Sequence, residues 1–334
     1  MPRLRTAPLE RTRRLDATAA NEASTTGKPL NVVQTLGAYV ALTKPRIIEQ
    51  LLITTIPTMF VARKGVPGFW LMVATLVGGT LAAGGANAIN MVVDRDIDRL
   101  MERTKRRPLV TGAMSPRAAL TFAITIEVLA FIFLWTTVNL LSAVLAVSAC
   151  LFYVFVYTLW LKRTSRQNIV IGGAAGAVPV LVGWSAVLNR LDWAPFVLFA
   201  VIFMWTPPHF WALAVKYRDD YAKADVPMLP VVASFRDTAN QIVSYSVVMW
   251  GLTLVFALVG DMGVFYTVSA TGLGAVFLWY AVVLWRVGAT GEAGMLPASA
   301  ETVRPAMKLF VYSIAYLTLL FIAMAVDQVI QHGF

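Results

Sequence analysis

The residues that could do chemistry gather in the stretch NAINMVVDRDIDRLMERTKRRPLVT, which begins in an apolar run and ends among basic residues. On an α-helix, at about 100° per residue, Asn87, Asn90, Asp94 and Asp98 fall on one stripe at spacings of three and four. Asp96 points to the opposite side. Converging carboxylates repel each other unless a cation lies between them. The stripe therefore predicts a site that holds a cation.

Basic residues follow this stripe directly, among them Arg103, Lys105 and Arg107. Carboxylates, a hard metal ion such as Mg²⁺ and basic side chains together form a diphosphate site. The alternative is that these charges only mark the headgroup zone at the end of a membrane helix. The helical spacing of the Asp residues, and a related arrangement later in the chain, favour the diphosphate site.

Composition predicts an all-α polytopic membrane protein. The chain has 334 residues, 58% hydrophobic and 14% charged, and apolar runs of about 20 residues, the length of a membrane-spanning helix, recur along it. The single cysteine, Cys150, excludes a disulfide within the chain and is expected to be a buried apolar residue. Two histidines, His209 and His332, are too few for a His-rich metal site.

The apolar runs predict nine spans. Residues 1–38 form a polar cytoplasmic tail that we expect to be disordered, and 39–334 form the integral membrane domain. The nine predicted spans cover about 45–63, 68–91, 117–137, 139–161, 168–188, 193–215, 239–260, 263–286 and 305–326.

The charge distribution predicts the topology. With the N-terminus in the cytoplasm, 25 of the 28 Lys and Arg residues lie on the cytoplasmic side. Only Arg63, Lys64 and Arg190 remain for the other side. Nine spans then place the C-terminus outside. The net charge of +10 therefore reflects topology, and we expect no nucleic-acid partner.

A second charged loop, PPHFWALAVKYRDDYAKADVPMLPVV, follows the sixth predicted span. A helix over 209–224 would place Lys216, Asp219, Asp220 and Lys223 on one face. Alone, this pattern predicts exposed ion pairs that neutralise each other, and such pairs contribute little to stability. Opposite the first stripe it becomes the second jaw of a clamp, in which four Asp residues could hold two Mg²⁺ ions.

Two sets of motifs resemble a known family. The pattern AxNxxxDRDxD followed by RTxxRPL resembles the first motif of the UbiA-type intramembrane prenyltransferases. The segments PPHFW, DY and PMLP are similar to the branch of that family that farnesylates protoheme IX. The resemblance covers residues from about 40 to 330.

The resemblance implies a nine-helix bundle around a central cavity. It also implies that farnesyl diphosphate is joined to a vinyl group of heme B, with addition of water, to give heme O. Carried over by position, Asn90, Asp94 and Asp98 bind Mg²⁺-diphosphate, with the two Asp residues catalytic. The resemblance also implies that Arg103, Lys105 and Arg107 neutralise the leaving group.

The second motif departs from the family pattern. Asp220 would be its acid, but a DxxxD repeat needs Asp at 223 or 224, where the chain has Lys223 and Ala224. The second jaw would then rest on Asp219 with Asp220. The remaining candidate substrate-binding residues are Asn87, Lys216, Lys223 and His209.

Two further polar residues lie inside predicted spans. His209 is either a satisfied core residue or a contact of the porphyrin, through the iron or the propionates. Glu127 lies about ten residues into the third span, where an ionisable side chain is expensive and suggests function. Protonation or a polar neighbour would also satisfy it.

Other functions are compatible with parts of this pattern. A related enzyme could prenylate an aromatic acid or a quinone precursor, a transporter could bind cations at the Asp clusters, and a heme chaperone could bind heme without catalysis. Transport sites usually lie near mid-membrane, whereas these Asp residues lie at one rim. The short loops and the tail favour a bacterial plasma membrane over the alternative, a mitochondrial inner membrane, and the charge distribution places the active-site loops on the cytoplasmic face. The family role predicts delivery of the product to a heme-copper oxidase. It also predicts association with heme A synthase or heme-copper oxidase assembly.

Overall fold

The computed structural model describes residues 31–290 and 299–333, and this part of the chain is helical with no strand. The all-α prediction is confirmed. We number the helices α1 Val32–Thr43, α2 Pro45–Arg63, α3 Phe69–Val93, α4 Arg95–Asp98, α5 Pro116–Thr137, α6 Leu140–Thr164, α7 Asn168–Leu188, α8 Trp193–Lys216, α9 Arg218–Lys223, α10 Leu229–Val232, α11 Phe235–Val259, α12 Val264–Thr290 and α13 Ala300–His332.

Eight of these helices are long and apolar enough to cross a membrane: α3, α5, α6, α7, α8, α11, α12 and α13. The predicted first span is present as the 19-residue helix α2. It is not among the eight, because polar residues such as Arg46, Glu49 and Gln50 lower its mean hydropathy. The count of nine spans and the orientation of the termini stay predictions.

The predicted tail differs from the structure at its end. Residues 1–30 lie outside the described part, but α1 begins at Val32, so the chain is helical before residue 38. Asn31 and Gln34 form a capping box that starts this helix, with N–H to side-chain oxygen distances of 2.8 and 3.0 Å. The domain boundary at residue 39 stays a prediction.

The largest apolar core lies between α8, α11, α12 and α13, where Trp211, Phe256, Phe277 and Phe321 are almost fully buried. A buried carboxylate at the edge of this core is paired, as a membrane interior requires. Asp327 of α13 accepts hydrogen bonds from the backbone N–H groups of Gly263 and Tyr266 at 2.6 and 3.0 Å. It thereby satisfies N–H groups at the start of α12, which have no partner within that helix.

The outer surface of the bundle is apolar. On α5, for instance, Ile124, Val128, Ile132 and Trp135 each expose 47% or more of their surface. A contiguous apolar face of this kind is stable against lipid and would aggregate in water. With the eight apolar helices, it identifies an integral membrane protein.

Candidate active site

The predicted stripe of amides and carboxylates lies at the end of α3. This helix ends at Val93, and the chain turns through Asp94 into the short helix α4. The Asp98 N–H donates to the Asp94 carbonyl at 2.9 Å, so the i to i+4 spacing continues through the turn. Asn90, Asp94 and Asp98 expose 3%, 0% and 2% of their surface, so the polar stripe is enclosed by protein.

Asp94 is paired with a cation from another helix. Its Oδ2 lies 2.5 Å from Lys162 Nζ at the end of α6, and it also accepts from Asn90 Nδ2 at 2.7 Å. Its Oδ1 is buried without a hydrogen bond, and the nearest cation to it is Arg163 at 4.0 Å. Asp94 therefore keeps one carboxylate oxygen without a hydrogen-bond partner.

Asn90 links three helices at this point. Its side-chain oxygen accepts from Lys44 Nζ at 2.7 Å, and its Nδ2 lies 3.1 Å from Thr158 Oγ1 on α6. Asn87, one turn earlier, donates to the Thr43 carbonyl at 3.0 Å. Asn87 thus anchors the end of α1, which places the next residue, Lys44, beside Asn90.

Asp98 is paired within its own loop. Arg107 Nη1 lies 2.6 Å from Asp98 Oδ2, and the Thr104 hydroxyl donates to the Asp98 carbonyl at 2.9 Å. The basic segment after α4 therefore folds back onto the stripe. Of the three basic residues predicted for the leaving group, Arg107 contacts a carboxylate of the first motif.

A wide turn in α6 sets the position of Lys162. Residues Phe152–Leu161 form a π-helix, and the side-chain hydroxyl of Thr158 donates to the Tyr153 carbonyl five residues earlier at 2.8 Å. Such segments are rare and recur at functional sites. Here Tyr153 and Tyr157 stack on each other at 5.4 Å between ring centroids.

Lys44 and Lys162 belong to the site although neither was predicted as a site residue, because in the sequence both fit the charge rule for topology. Lys44 has a left-handed backbone, φ 54°, at the junction of α1 and α2, a conformation uncommon outside glycine. Burial, followed by repulsion from Arg107 and Lys162, lowers the pKa of Lys44 to about 7. The surroundings of Lys44 therefore favour its neutral form more than water does.

Asp96 points away from the stripe, as predicted. It forms a two-point ion pair with Arg163, with distances of 2.7 and 2.8 Å between the guanidinium nitrogens and the carboxylate oxygens. These hydrogen bonds lower the pKa of Asp96 to about 2. This pair joins α4 to the end of α6, which also carries Lys162.

The two charged loops pack against each other. Ile97 and Met101 of the first loop share an apolar cluster with Tyr221 and Met228 of the second. Sequence reasoning expected the loops to lie side by side, and the structure places them so. The contact is apolar, however, whereas the pattern predicted metal ions between the loops.

The second jaw differs from the predicted one. The helix expected over 209–224 breaks at Tyr217, whose backbone has φ −102° and ψ 21°, so the four charged residues do not continue along one face. Asp219 is 69% exposed and lies 3.7 Å from Arg218, and Asp220 is half-buried. Among the described residues, no three His, Cys, Asp or Glu side chains are grouped to hold a metal, so the four-Asp clamp is not assembled.

The remaining predicted basic residues lie at the surface of the loops. Arg103 and Lys216 both lie over the Tyr217 ring, at 5.6 and 5.4 Å from its centroid. Lys105 pairs with Glu102, and Lys223 is exposed. These side chains form an outer basic rim, separate from the three partly buried basic residues that contact the stripe, Lys44, Arg107 and Lys162.

The two polar residues of the spans are both buried. His209 exposes 6% of its surface and its Nδ1 lies 2.7 Å from Ser313 Oγ on α13. Both carboxyl oxygens of Glu127 are buried without a hydrogen bond, and a Cβ at Gly85 would lie 2.6 Å from Glu127 Cγ. The absence of a side chain at Gly85 therefore makes room for Glu127. Cys150 is buried, as expected.

The stripe fits Mg²⁺ by its donor chemistry. It offers the unpaired Asp94 Oδ1, a second carboxylate at Asp98 and the Asn90 amide oxygen, all of them hard ligands. Mg²⁺ in proteins is often held by one or two carboxylates together with substrate phosphates. The absence of a four-carboxylate group therefore does not conflict with a Mg²⁺-diphosphate site.

Comparison with known families decides the class of this site. The model of the UbiA prenyltransferase family matches residues 51–294. The chain belongs to the UbiA prenyltransferase family. The membership predicted from the two motifs is thus confirmed.

Close relatives within the family share most of their length with this UbiA-family chain. It is 54% identical over 295 residues to a protoheme IX farnesyltransferase of Streptomyces avermitilis, covering 88% of this chain and 94% of the relative. It is 51% identical over 300 residues to a protoheme IX farnesyltransferase of a Nocardioides species, covering 90% and 93%.

Solved structures share the fold. The structure reported for digeranylgeranylglyceryl phosphate synthase has a TM-score of 0.70 at 16% identity, covering 88% of this chain and 99% of that one. A UbiA homolog from Archaeoglobus fulgidus bound to GPP and Mg²⁺ has a TM-score of 0.59 at 18% identity, covering 86% and 99%. At these identities the likeness shows the UbiA-type bundle.

Proposed function

We propose that the protein transfers the farnesyl group of farnesyl diphosphate to a vinyl group of heme B, giving heme O. The C–O bond to diphosphate breaks and a C–C bond to the vinyl carbon forms. Water then supplies a hydroxyl group to the adjacent carbon and loses a proton to the released diphosphate or to solvent. The relatives named protoheme IX farnesyltransferase, at about half identity over most of the chain, support this choice of substrates.

The observation that carries the proposal is the buried stripe of Asn90, Asp94 and Asp98 enclosed by basic side chains. Lys44 and Lys162 contact Asn90 and Asp94 at 2.7 and 2.5 Å, and Arg107 pairs with Asp98 at 2.6 Å. Charged groups are costly to bury unless they are paired or bind a ligand. Carboxylates and cations in one enclosed site suit a ligand that is both anionic and metal-bound.

The chain's own residues stabilise the charge that develops on the leaving diphosphate. Lys44, Lys162 and Arg107 lie where they can shift from the carboxylates to phosphate oxygens, and preorganised cations in an enclosed site act strongly on developing charge. Asn90, Asp94 and Asp98 would hold Mg²⁺, which when bound neutralises the diphosphate as a Lewis acid. Asp220 remains the candidate acid of the second motif, with Asp219 beside it.

Exclusion of water protects the allylic cation. The apolar cluster of Ile97, Met101, Tyr221 and Met228 joins the two loops beside Asp98, which follows Ile97 directly. A closed site of this kind keeps bulk water from the cation before the acceptor reacts. The outer rim of Arg103, Lys105, Lys216 and Lys223 attracts anionic substrates, and His209 contacts the heme.

The location and partners belong to the same proposal. The loops lie on the cytoplasmic face of a bacterial plasma membrane, where the basic residues concentrate. Both substrates have large apolar parts, the farnesyl chain and the flat porphyrin, so they reach the bundle through the lipid while the diphosphate stays at the rim. The product is passed on to heme A synthase or to heme-copper oxidase assembly.

The first experiment is product analysis by mass spectrometry. Purified protein is incubated with heme B, farnesyl diphosphate and Mg²⁺, with and without a chelator. We expect a heme that carries a hydroxyfarnesyl group, formed only without chelator. If folded protein gives no such product and instead prenylates an aromatic acid, the acceptor is wrong.

A substitution tests the stripe. Asp94→Asn keeps the side-chain shape but removes the charge that binds metal, and we expect it to abolish turnover. Asp261→Asn is a matched control, because Asp261 is an exposed carboxylate paired with Lys64 at 3.1 Å, and Asn tolerates its left-handed backbone. Turnover by Asp94→Asn at the control's rate contradicts the proposed role of the stripe.

A second substitution separates the two substrates. Arg107→Ala removes the cation beside Asp98. We expect weaker binding of farnesyl diphosphate with little change in heme binding, measured by titration of each substrate. Equal loss for both substrates would mean that Arg107 has a structural role.

A further inference from the structure

The imidazole of His209 is held on several sides by its neighbours. It stacks on Trp205, one turn earlier on α8, at 4.2 Å between ring centroids, and Phe310 of α13 covers it at 4.7 Å. Trp205 is fixed in turn, because its Nε1 donates to the Ser313 carbonyl at 2.9 Å. The ring therefore has a set orientation between the two helices.

The hydrogen bonds of Ser313 define which nitrogen of His209 carries the proton. Ser313 Oγ lies 2.6 Å from the Phe310 carbonyl oxygen and 2.7 Å from His209 Nδ1. A hydroxyl group has one proton to donate. Two oxygens at 2.6 Å would repel each other unless that proton lies between them, so Ser313 donates to the carbonyl and accepts from Nδ1–H. Neutral His209 then has an unprotonated Nε2.

The lone pair of His209 Nε2 accepts no hydrogen bond from the described part of the protein. No hydrogen bond to Nε2 occurs among the described residues, although the Nδ1 side of the ring is satisfied. Nε2 is not among the fully buried side-chain atoms that lack a hydrogen bond, so it is accessible at the surface. His209 as a whole exposes 6% of its surface. An oriented acceptor that reaches accessible space is available to a ligand.

The position of His209 suits a ligand deeper than the diphosphate. His209 lies seven residues before Lys216, the last residue of α8, which is about 10 Å along a helix. The diphosphate residues lie at the ends of their helices, so His209 is placed below them among aromatic side chains. A flat apolar acceptor that contains a metal fits this depth.

We infer that His209 Nε2 is an axial ligand of the iron of substrate heme B, and that Ser313 is the positioning residue that fixes its tautomer. Histidines that bind metals usually donate their other ring N–H to an oxygen in this way, and imidazole is a common iron ligand of heme. The iron would lie in the plane of the imidazole, so Trp205 and Phe310 can cover the ring faces without blocking it. The inference rests on the proposed function, because it takes heme B as the acceptor.

Heme spectroscopy tests this assignment. Protein without an added histidine tag is reconstituted in lipid nanodiscs and titrated with heme B. We expect wild type to give the spectrum of an imidazole-bound heme, and His209→Gly to bind heme at least tenfold more weakly and to lose that spectrum. Free imidazole should restore the spectrum in His209→Gly, because it fits the space that the side chain leaves.

The chain supplies a matched control in His332, its only other histidine. His332 is exposed at the end of α13 and its Nδ1 lies 3.2 Å from the Gln328 carbonyl. We expect His332→Gly to bind heme as wild type does. Ser313→Ala should keep the ligand but shift the iron–histidine stretching band of ferrous heme in resonance Raman spectra, which a purely structural change would not move.

Three results would overturn the inference. One is a wild-type heme spectrum in His209→Gly, and another is an unshifted iron–histidine band in Ser313→Ala. The third is His209→Gly protein that keeps the wild-type heme spectrum and also forms a farnesylated heme without the hydroxyl group. In that case His209 would be the base for water addition and not a ligand of the iron. Mg²⁺-dependent binding of farnesyl diphosphate checks that each variant is folded, and heme O formation by wild type tests the proposed function separately.

Discussion

The ion pair of Asp94 with Lys162 makes a quantitative prediction about stability. Asp94 is fully buried, the Lys162 side chain is 14% exposed, and their atoms lie 2.5 Å apart. Removal of one partner from a buried pair costs about 3–5 kcal/mol, because the other charge stays buried and unpaired. In Lys162→Met, Asp94 keeps the Asn90 amide and has Arg163 at 4.0 Å. We therefore expect Lys162→Met to lower the free energy of unfolding by about 3 kcal/mol, the lower end of this range.

The measurement is the free energy of unfolding by detergent titration in mixed micelles, without metal and with a chelator present. Lys64→Met is the control, because the Lys64–Asp261 pair is 59% and 73% exposed and such pairs contribute about 0–1 kcal/mol. The double variant Lys162→Met/Asp94→Asn leaves no buried charge unpaired. We expect it to recover most of the loss, with a coupling energy of about 2–3 kcal/mol.

The result that would refute this reasoning is a Lys162→Met variant that loses no more stability than Lys64→Met. In that case Asp94 would be neutral or hydrated, and Lys162 would not be the cation that compensates it. A double variant whose loss equals the sum of the two single losses would lead to the same conclusion. Neither result would affect the family assignment, which rests on sequence.

The remaining predictions concern charge, packing and ligands. The pKa of Lys44 in the folded state, about 7, lies below its value in the unfolded state. The unfolded state therefore binds more protons between these two values. As a result, the free energy of unfolding of wild type relative to Lys44→Met should rise with pH, by up to about 1.4 kcal/mol per pH unit between pH 7 and 9. Gly85→Ala should cost about 1–3 kcal/mol through the clash with Glu127, whereas Gly251→Ala, whose Cβ meets nothing within 4 Å, should cost none. Mg²⁺ with farnesyl diphosphate should raise the melting temperature, a chelator should remove most of that rise, and an equal rise with chelator would contradict metal-assisted binding.

Local periodicity explains why the first half of the site could be predicted. Asn90, Asp94 and Asp98 are separated by four residues, and this spacing alone places them on one helical face. The turn at the end of α3 does not disturb the stripe, because the hydrogen bond from Asp98 to Asp94 keeps the helical path. The motif could therefore be assigned before the contacts of any other helix were known.

The partners of the stripe could not be predicted by the same reasoning. Lys44 lies 46 residues before Asn90, and Lys162 lies 68 residues after Asp94. In the sequence, both are basic residues at the ends of apolar runs, which the charge rule for topology already explains. The π-helix that precedes Lys162 has no signal in the apolar pattern, so its effect on side-chain direction was not foreseen.

The second loop shows where periodicity fails. A regular helix over 209–224 would give a second acidic face, but Tyr217 leaves the helical region and its ring contacts Arg103 and Lys216 instead. The Tyr217 ring contacts two cations, one from each loop, and such cation–π contacts are stabilising. The loops are joined by apolar and cation–aromatic contacts, whereas the pattern predicted shared metal ions. In the first motif, side chains on one helix set the metal site. In the second, contacts between loops decide where Asp219 and Asp220 point, and Asp219 points to solvent.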